Sequence, residues 1–185
     1  MSKGKLFVIS GASGVGKSTV LSAVMAQRKD LRFSVSATTR DPRPGEIDGE
    51  SYYFVSREQF LDMIDQGEFL EYDAHMDNYY GTPKGQLEEK LEKGSVILDI
   101  EPNGAFAVRK ARPDAVLIFI APPSLGELER RLRGRGDTSP EQMRLRQERV
   151  AWEMEQGQRY DHYVINDQVE ACAKRILQII AQAAD

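Results

Sequence analysis

The chain carries a single cysteine, Cys172, in 185 residues. One thiol builds no internal disulfide and no all-cysteine metal site, so a disulfide-stapled scaffold is excluded and a reducing, cytoplasmic setting is expected. Histidine is almost as scarce. His75 and His162 stand far apart with no ligand-spaced neighbour, which leaves both to ordinary structural roles and argues against a histidine-built metal centre. No apolar run approaches the length of a membrane span, and the first one extends over about six residues, too short for a signal segment. Positive charge is not in excess either: Lys and Arg number 25 against 29 Asp and Glu, a net charge of −4. That balance argues against a nucleic-acid partner, as the short runs argue against a membrane. Neither an internal repeat nor a low-complexity tract occurs.

What remains is a globular composition, 41% apolar and 29% charged, in a length that buries one core and leaves room for small inserted lobes. Three runs, KLFVIS at 5–10, SVILDI at 95–100 and AVLIFIA at 115–121, are continuously apolar rather than alternating. Strands covered on both faces read this way, as in a parallel sheet flanked by helices. HYVIN at 162–166 is a weaker fourth. Between the runs lie helix-start signals: Ser56 with Gln59, Ser124 with Glu127 and Asp167 with Glu170 as capping boxes, and Ser139-Pro140 opening a long polar helix toward Gly157. Trp152 and Cys172 fall on helical segments and read as core. The alternation predicts an α/β doubly wound core. Residues 38–82 break the rhythm with strands expected at 52–55 and 67–74 around a helix near 57–66, the pattern of an inserted mixed α+β lobe. The core is then residues 1–37 and 83–185, with a short glycine- and arginine-rich lid at about 133–142.

The first strand runs into Gly11-Ala12-Ser13-Gly14-Val15-Gly16-Lys17-Ser18-Thr19, a full match to G-x-x-x-x-G-K-[ST]. Its glycines let successive N–H groups face inward while the following helix aims its positive end at the same point, a cradle for nucleotide phosphates. In that setting Lys17 reaches the β and γ phosphates and the Ser18 hydroxyl helps hold Mg²⁺. Asp99, ending the second apolar run, is the natural further carboxylate near the metal, or else an acid that merely ends a strand.

Residues 34–46, SVSATTRDPRPGE, join hydroxyls to two arginines and two prolines, suited to an anion of unspecified kind. Between residues 130 and 149 there are seven arginines and no lysine. Planar guanidinium forks suit phosphate oxygens and stacking on a base, although several have glutamates nearby to pair with: Glu127, Glu129, Glu141, Glu148 and Glu153.

The phosphate loop, VSATTRDPRPGEIDGESYYF, EFLEY, NYYGT, ILDIE, RRLRGRG and YVIND, in that order, resemble guanylate kinase over nearly the whole chain. The resemblance implies a phosphate-loop core, a GMP-binding lobe and a lid, and transfer of the γ phosphoryl group of ATP to GMP or dGMP with Mg²⁺. It places the monophosphate grip on Arg40, Arg43, Tyr52 and Tyr80, and the guanine contacts on Ser36, Glu71 and Thr82, with Glu101 where an aspartate is usual. It places Arg131, Arg135 and Arg146 at the moving phosphoryl group and adenine, with Asn166 near the adenine. Guanine offers two neighbouring donors that a carboxylate accepts together, and hydroxyls at Ser36 and Thr82 can donate to its O6. Thr82 before Pro83 also suits a helix N-cap. The alternatives are a related kinase for another small phosphate acceptor, such as a ribose bisphosphate, and a non-catalytic guanylate-kinase-like scaffold domain. Assembly with further copies of the chain stays open.

Overall fold

The structure is a computed structural model that describes residues 4–75, 77–124, 126–128 and 140–184, with the backbone alone for His75, residues 140–143, Arg146 and Ala184. The three continuous apolar runs form its centre. β1 (Leu6–Gly11) lies between β7 (Val96–Asp99) and β8 (Val116–Ala121), and β2 (Arg32–Phe33) and β9 (His162–Ile165) complete a parallel sheet in the order β2-β7-β1-β8-β9. Phe7, Val8 and Ile9 are all fully buried, so side chains of both parities along β1 are covered, which is why the run cannot alternate. The chain leaves β1 for neighbours on both sides. Sheets of this kind bind ligands outside the carboxyl ends of their strands at such a switch point, and the phosphate loop starts there.

Helices α1 (Lys17–Gln27), α3 (Lys84–Lys93), α4 (Pro102–Ala111), α5 (Pro140–Gly157) and α6 (Val169–Ala184) accompany this sheet. α5 is seated closely: Val150 is buried, and Gly157 lies so near the Phe119 ring that no Cβ fits. Among the described residues no helix is long and apolar enough to cross a membrane.

A second sheet occupies the interlude, in the order β4 (Tyr53–Phe54), β3 (Ala37–Thr38), β6 (Asn78–Pro83), β5 (Phe69–His75), mixed in direction. It packs on α2 (Arg57–Asp65), whose start carries the expected reciprocal Ser56–Gln59 capping box. Its own core is small: Ala37, Phe60 and Phe69 are buried, and the Phe60 ring stacks on Phe69 at 4.4 Å and on Tyr79 at 5.4 Å.

β2 ends at Phe33 in the first sheet and β3 begins at Ala37 in the second, so Ser36 sits in the passage between sheets. Two local expectations change. Thr82 does not cap α3: the cap position belongs to Pro83, which offers no side-chain bond, and Thr82 lies inside β6. At α6 the Asp167 carboxylate accepts from the adjacent Gln168 N–H rather than closing a box with Glu170.

Candidate active site

The loop after β1 takes its shape from two left-handed glycines, Gly14 at φ 82° and Gly16 at φ 89°. An L side chain at either place would be strained, so the loop needs glycine there. It is pinned from behind. The Ala12 N–H donates to the Ile120 carbonyl at 3.2 Å, Val15 donates back to Ala12 at 3.0 Å, and the buried Asn166 amide donates to the Val15 carbonyl at 2.8 Å. Asn166 therefore braces the loop. Gly11, Ala12 and Val15 are buried while Ser13, Ser18 and Thr19 face solvent. Beneath, Tyr160 donates to Ser10 at 2.8 Å and Ser10 to the Ile100 carbonyl at 2.6 Å, tying the ends of β1 and β7 together.

Lys17, first residue of α1, forms an ion pair with Asp99 at the end of β7. Burial by itself would lower the Lys17 ammonium, but Asp99 and Glu101 outweigh it and hold its pKa above the ordinary lysine value. Asp99 lies opposite Ile9 in the β1–β7 ladder, so its carboxylate is delivered to the loop by strand register.

From this pair a cleft of about 490 Å³ opens between the two sheets, with Lys17, Asp99 and Glu101 on one side and Ser36, Tyr52, Glu71 and Tyr80 on the other. Tyr52 and Tyr80 meet edge to face at 6.1 Å, and burial raises the Tyr52 phenol. The two rings present hydroxyls that donate without offering a phosphate a negative charge. Arg40 lies over the Tyr52 ring at 5.4 Å, but its fork is engaged by Glu46, Nη1 to Oε2 at 2.9 Å and Nη2 to Oε1 at 2.8 Å. Glu46 also accepts from the Arg43 backbone N–H at 2.7 Å, while residue Arg43 itself is exposed and outside the cleft lining.

Glu71 is buried, and Thr82 donates to its Oε1 at 2.5 Å. Burial is the main cause of a raised Glu71 pKa, opposed by the Thr82 bond and supported by Asp73. α4 presses on the same carboxylate: a Cβ at Gly104 would stand 2.7 Å from Glu71 Oε2. Arg131 and Arg135 and most of the expected lid lie outside the described residues, as does the Arg146 side chain.

A family model described as guanylate kinase matches residues 3–183. The guanylate kinase of Thermus thermophilus is 47% identical over 179 residues, 96% of this chain and 81% of the relative. That of Clostridioides difficile is 44% identical over 180 residues, 97% of this chain and 88% of the relative. Among solved structures, a guanylate kinase from Anaplasma phagocytophilum superposes with a TM-score of 0.81 at 33% identity, covering 100% of this chain and 88% of that one. The chain belongs to the guanylate kinase family.

A guanylate kinase must hold two nucleotides at once, and the cleft has residues at both ends that the sequence reading left aside. Asp73 and Asn103 line it with an Asn103 Nδ2 to Asp73 Oδ2 distance of 3.4 Å. Trp152, expected in the core, instead lies on the cleft at 39% exposure, because α5 turns that face toward the opening. Arg149 lines the cleft, reaching Glu101 Oε2 at 3.3 Å and Glu153 Oε1 at 2.9 Å. Glu153 also accepts from the Ser13 N–H at 2.7 Å. The sequence signal for this last group was an Arg–Glu pair spaced i, i+4, which reads as a solvated helix face.

Proposed function

We propose that the ATP:GMP phosphotransfer of this family runs here as a direct, in-line displacement of the γ phosphoryl group onto the GMP phosphate, with no covalent enzyme intermediate. The observation that carries this reading is that Lys17, at the phosphate loop, and Glu71, suited to guanine, line one continuous cleft. Phosphoryl transfer asks mainly for position and charge neutralisation. Residues Gly11 to Thr19 cradle the ATP phosphates, with Lys17 at the β and γ groups. Arg40, Arg43, Tyr52 and Tyr80 grip the GMP phosphate, Arg40 by exchanging Glu46 for phosphate oxygens and Arg43 by turning in from its exposed position. Ser36, Glu71 and Glu101 address guanine, Thr82 acts there through Glu71, and Arg131, Arg135 and Arg146 neutralise the moving group.

Mg²⁺ fits the donor set at the loop. Ser18 and Asp99 are hard oxygen ligands, and the Lys17–Asp99 ion pair shows that this carboxylate reaches the loop. Bound there, the ion would offset phosphate charge. The inserted lobe of residues 38–82 carries the acceptor half of the site and dGMP fits it as GMP does. The buried lone Cys172 agrees with a cytoplasmic enzyme.

The intact phosphate loop and the Glu71 site disfavour a scaffold domain and a ribose bisphosphate kinase. A coupled assay tests the reading: ADP forms from ATP with GMP or dGMP and not with AMP, UMP, dTMP or ribose phosphates. Equal rates with AMP would overturn the guanine assignment.

A further inference from the structure

Glu153 is a carboxylate exposed by only 1%, placed beside a loop built to hold polyanions. Unpaired, such a charge would be costly and would repel the ligand. Its two oxygens are instead divided between two tasks. Oε2 accepts the Ser13 N–H of the phosphate loop at 2.7 Å, and Oε1 accepts Arg149 Nε at 2.9 Å from one turn earlier on α5. Arg149 extends past Glu153 so that Nη2 stands 3.3 Å from Glu101 Oε2, at the cleft. The helix that supplies both residues is fixed by Val150 and by the contact of Gly157 with Phe119, so the carboxylate has little freedom to follow the loop. The loop must follow the carboxylate.

We propose that Glu153 is a positioning residue for both substrates: through Ser13 it sets the phosphate loop for ATP, and through Arg149 it sets a guanidinium in the GMP half of the cleft. Ser13 held from behind keeps the loop curled before any phosphate arrives, which reduces the ordering that binding must supply. Arg149, with one edge on Glu153 and the other toward Glu101, is directed into the GMP half of the cleft instead of ranging through solvent. The inference rests on the phosphotransferase reading but does not need turnover to be tested.

Calorimetry with GMP, and separately with a non-hydrolysable ATP analogue and Mg²⁺, on Glu153→Ala, Glu153→Gln and Arg149→Met provides the test, alongside kcat and KM. Removing a hydrogen bond to a charged group weakens binding by about tenfold. Glu153→Ala is expected to lose about that factor for the ATP analogue and for GMP. Glutamine keeps an oxygen for Ser13 and lacks the charge for Arg149, so Glu153→Gln is expected to recover binding of the ATP analogue while GMP binding stays weak. Arg149→Met is expected to weaken GMP alone. A merely structural glutamate would not divide the two ligands in this way. Equal loss of both ligands in Glu153→Gln, or loss of neither, overturns the proposal, and those two conservative variants decide it even if the alanine variant unfolds. Wild-type protein that binds the ATP analogue but phosphorylates no GMP would sink the functional reading while leaving the Ser13 arm measurable.

Discussion

Thr82 gives its hydroxyl proton to Glu71 across the β5–β6 ladder, in which the two residues are Cα partners. A hydroxyl has one proton, so Thr82 holds the Glu71 carboxylate in place, and in the proposed guanine site donation to O6 is left to Ser36. The bond also draws down a Glu71 pKa that burial raises. Thr82→Val is expected to increase KM for GMP about tenfold with KM for ATP unchanged. The proposed guanine contact needs Glu71 ionised, so KM for GMP is expected to rise as pH falls through the Glu71 pKa. That rise is expected at higher pH in the valine variant. KM measured against pH in both proteins checks this, and superimposable profiles would contradict it.

Glu71→Gln separates stability from specificity. The raised pKa of Glu71 means that the folded chain keeps a proton that the unfolded chain has already released between the ordinary glutamate value and the raised one. Across that window stability falls as pH rises, and the loss persists above it. Glutamine removes the ionisation, so the variant is expected to melt at a higher temperature than wild type at pH 7, with the gain vanishing on acidification. The same variant is expected to lose preference for GMP over AMP by about a hundredfold or more, since guanine donors would face an amide that also donates. Melting curves at pH 4 and 7, at about those values, together with acceptor competition decide both halves.

Gly104→Ala tests the contact from the other side. A Cβ there meets Glu71 Oε2 at 2.7 Å and Ile100 Cδ1 at 3.2 Å, so the carboxylate, the movable end, must shift. Alanine is the better helix former by about 1 kcal/mol, which offsets strain in α4. The expected result is a protein about as stable as wild type, with KM for GMP raised severalfold and ATP binding intact. Unchanged KM for GMP would mean that the Glu71 position is not critical.

Arg40 and Glu46 form a bidentate pair. Glu46 holds the guanidinium over Tyr52 and organises the turn through the Arg43 N–H, so in the proposed GMP site the pair would preset the loop for a phosphate. Arg40→Met is expected to weaken GMP by about a hundredfold, and Glu46→Ala by about threefold through the lost ordering. Tighter GMP binding in Glu46→Ala would show that the glutamate competes instead of preparing.

The parallel core was legible because β1, β7 and β8 are buried on both faces and so appear as unbroken apolar runs. β6 was hidden. Asn78–Pro83 contains a glycine and ends on proline, which read as punctuation, yet it is bonded to strands on both sides, and Gly81 is required because a Cβ would stand 2.9 Å from the Phe69 ring. The phosphate loop and the Glu71 position were readable from motif and resemblance. Glu153 was not, because its burial depends on how α5 docks across a separation of 140 residues from Ser13. Trp152 failed for the same reason, as its place on the cleft follows from helix orientation and not from its hydrophobicity.

The second sheet, the proposed acceptor lobe, packs on three buried apolar side chains, Ala37, Phe60 and Phe69, whereas the central strands β1, β7 and β8 of the phosphate-loop sheet are covered on both faces. A unit with so little buried apolar area opens locally at a lower free energy than the whole chain. GMP bound there as proposed would act as a folding ligand of that lobe: at a hundred times its dissociation constant it would add about 2.7 kcal/mol to whatever keeps the lobe closed. Hydrogen exchange in β3, β5 and β6 is expected to slow sharply on adding GMP while β1, β7 and β8 stay unchanged. The enzyme would thus finish folding its acceptor half around the molecule it is about to phosphorylate.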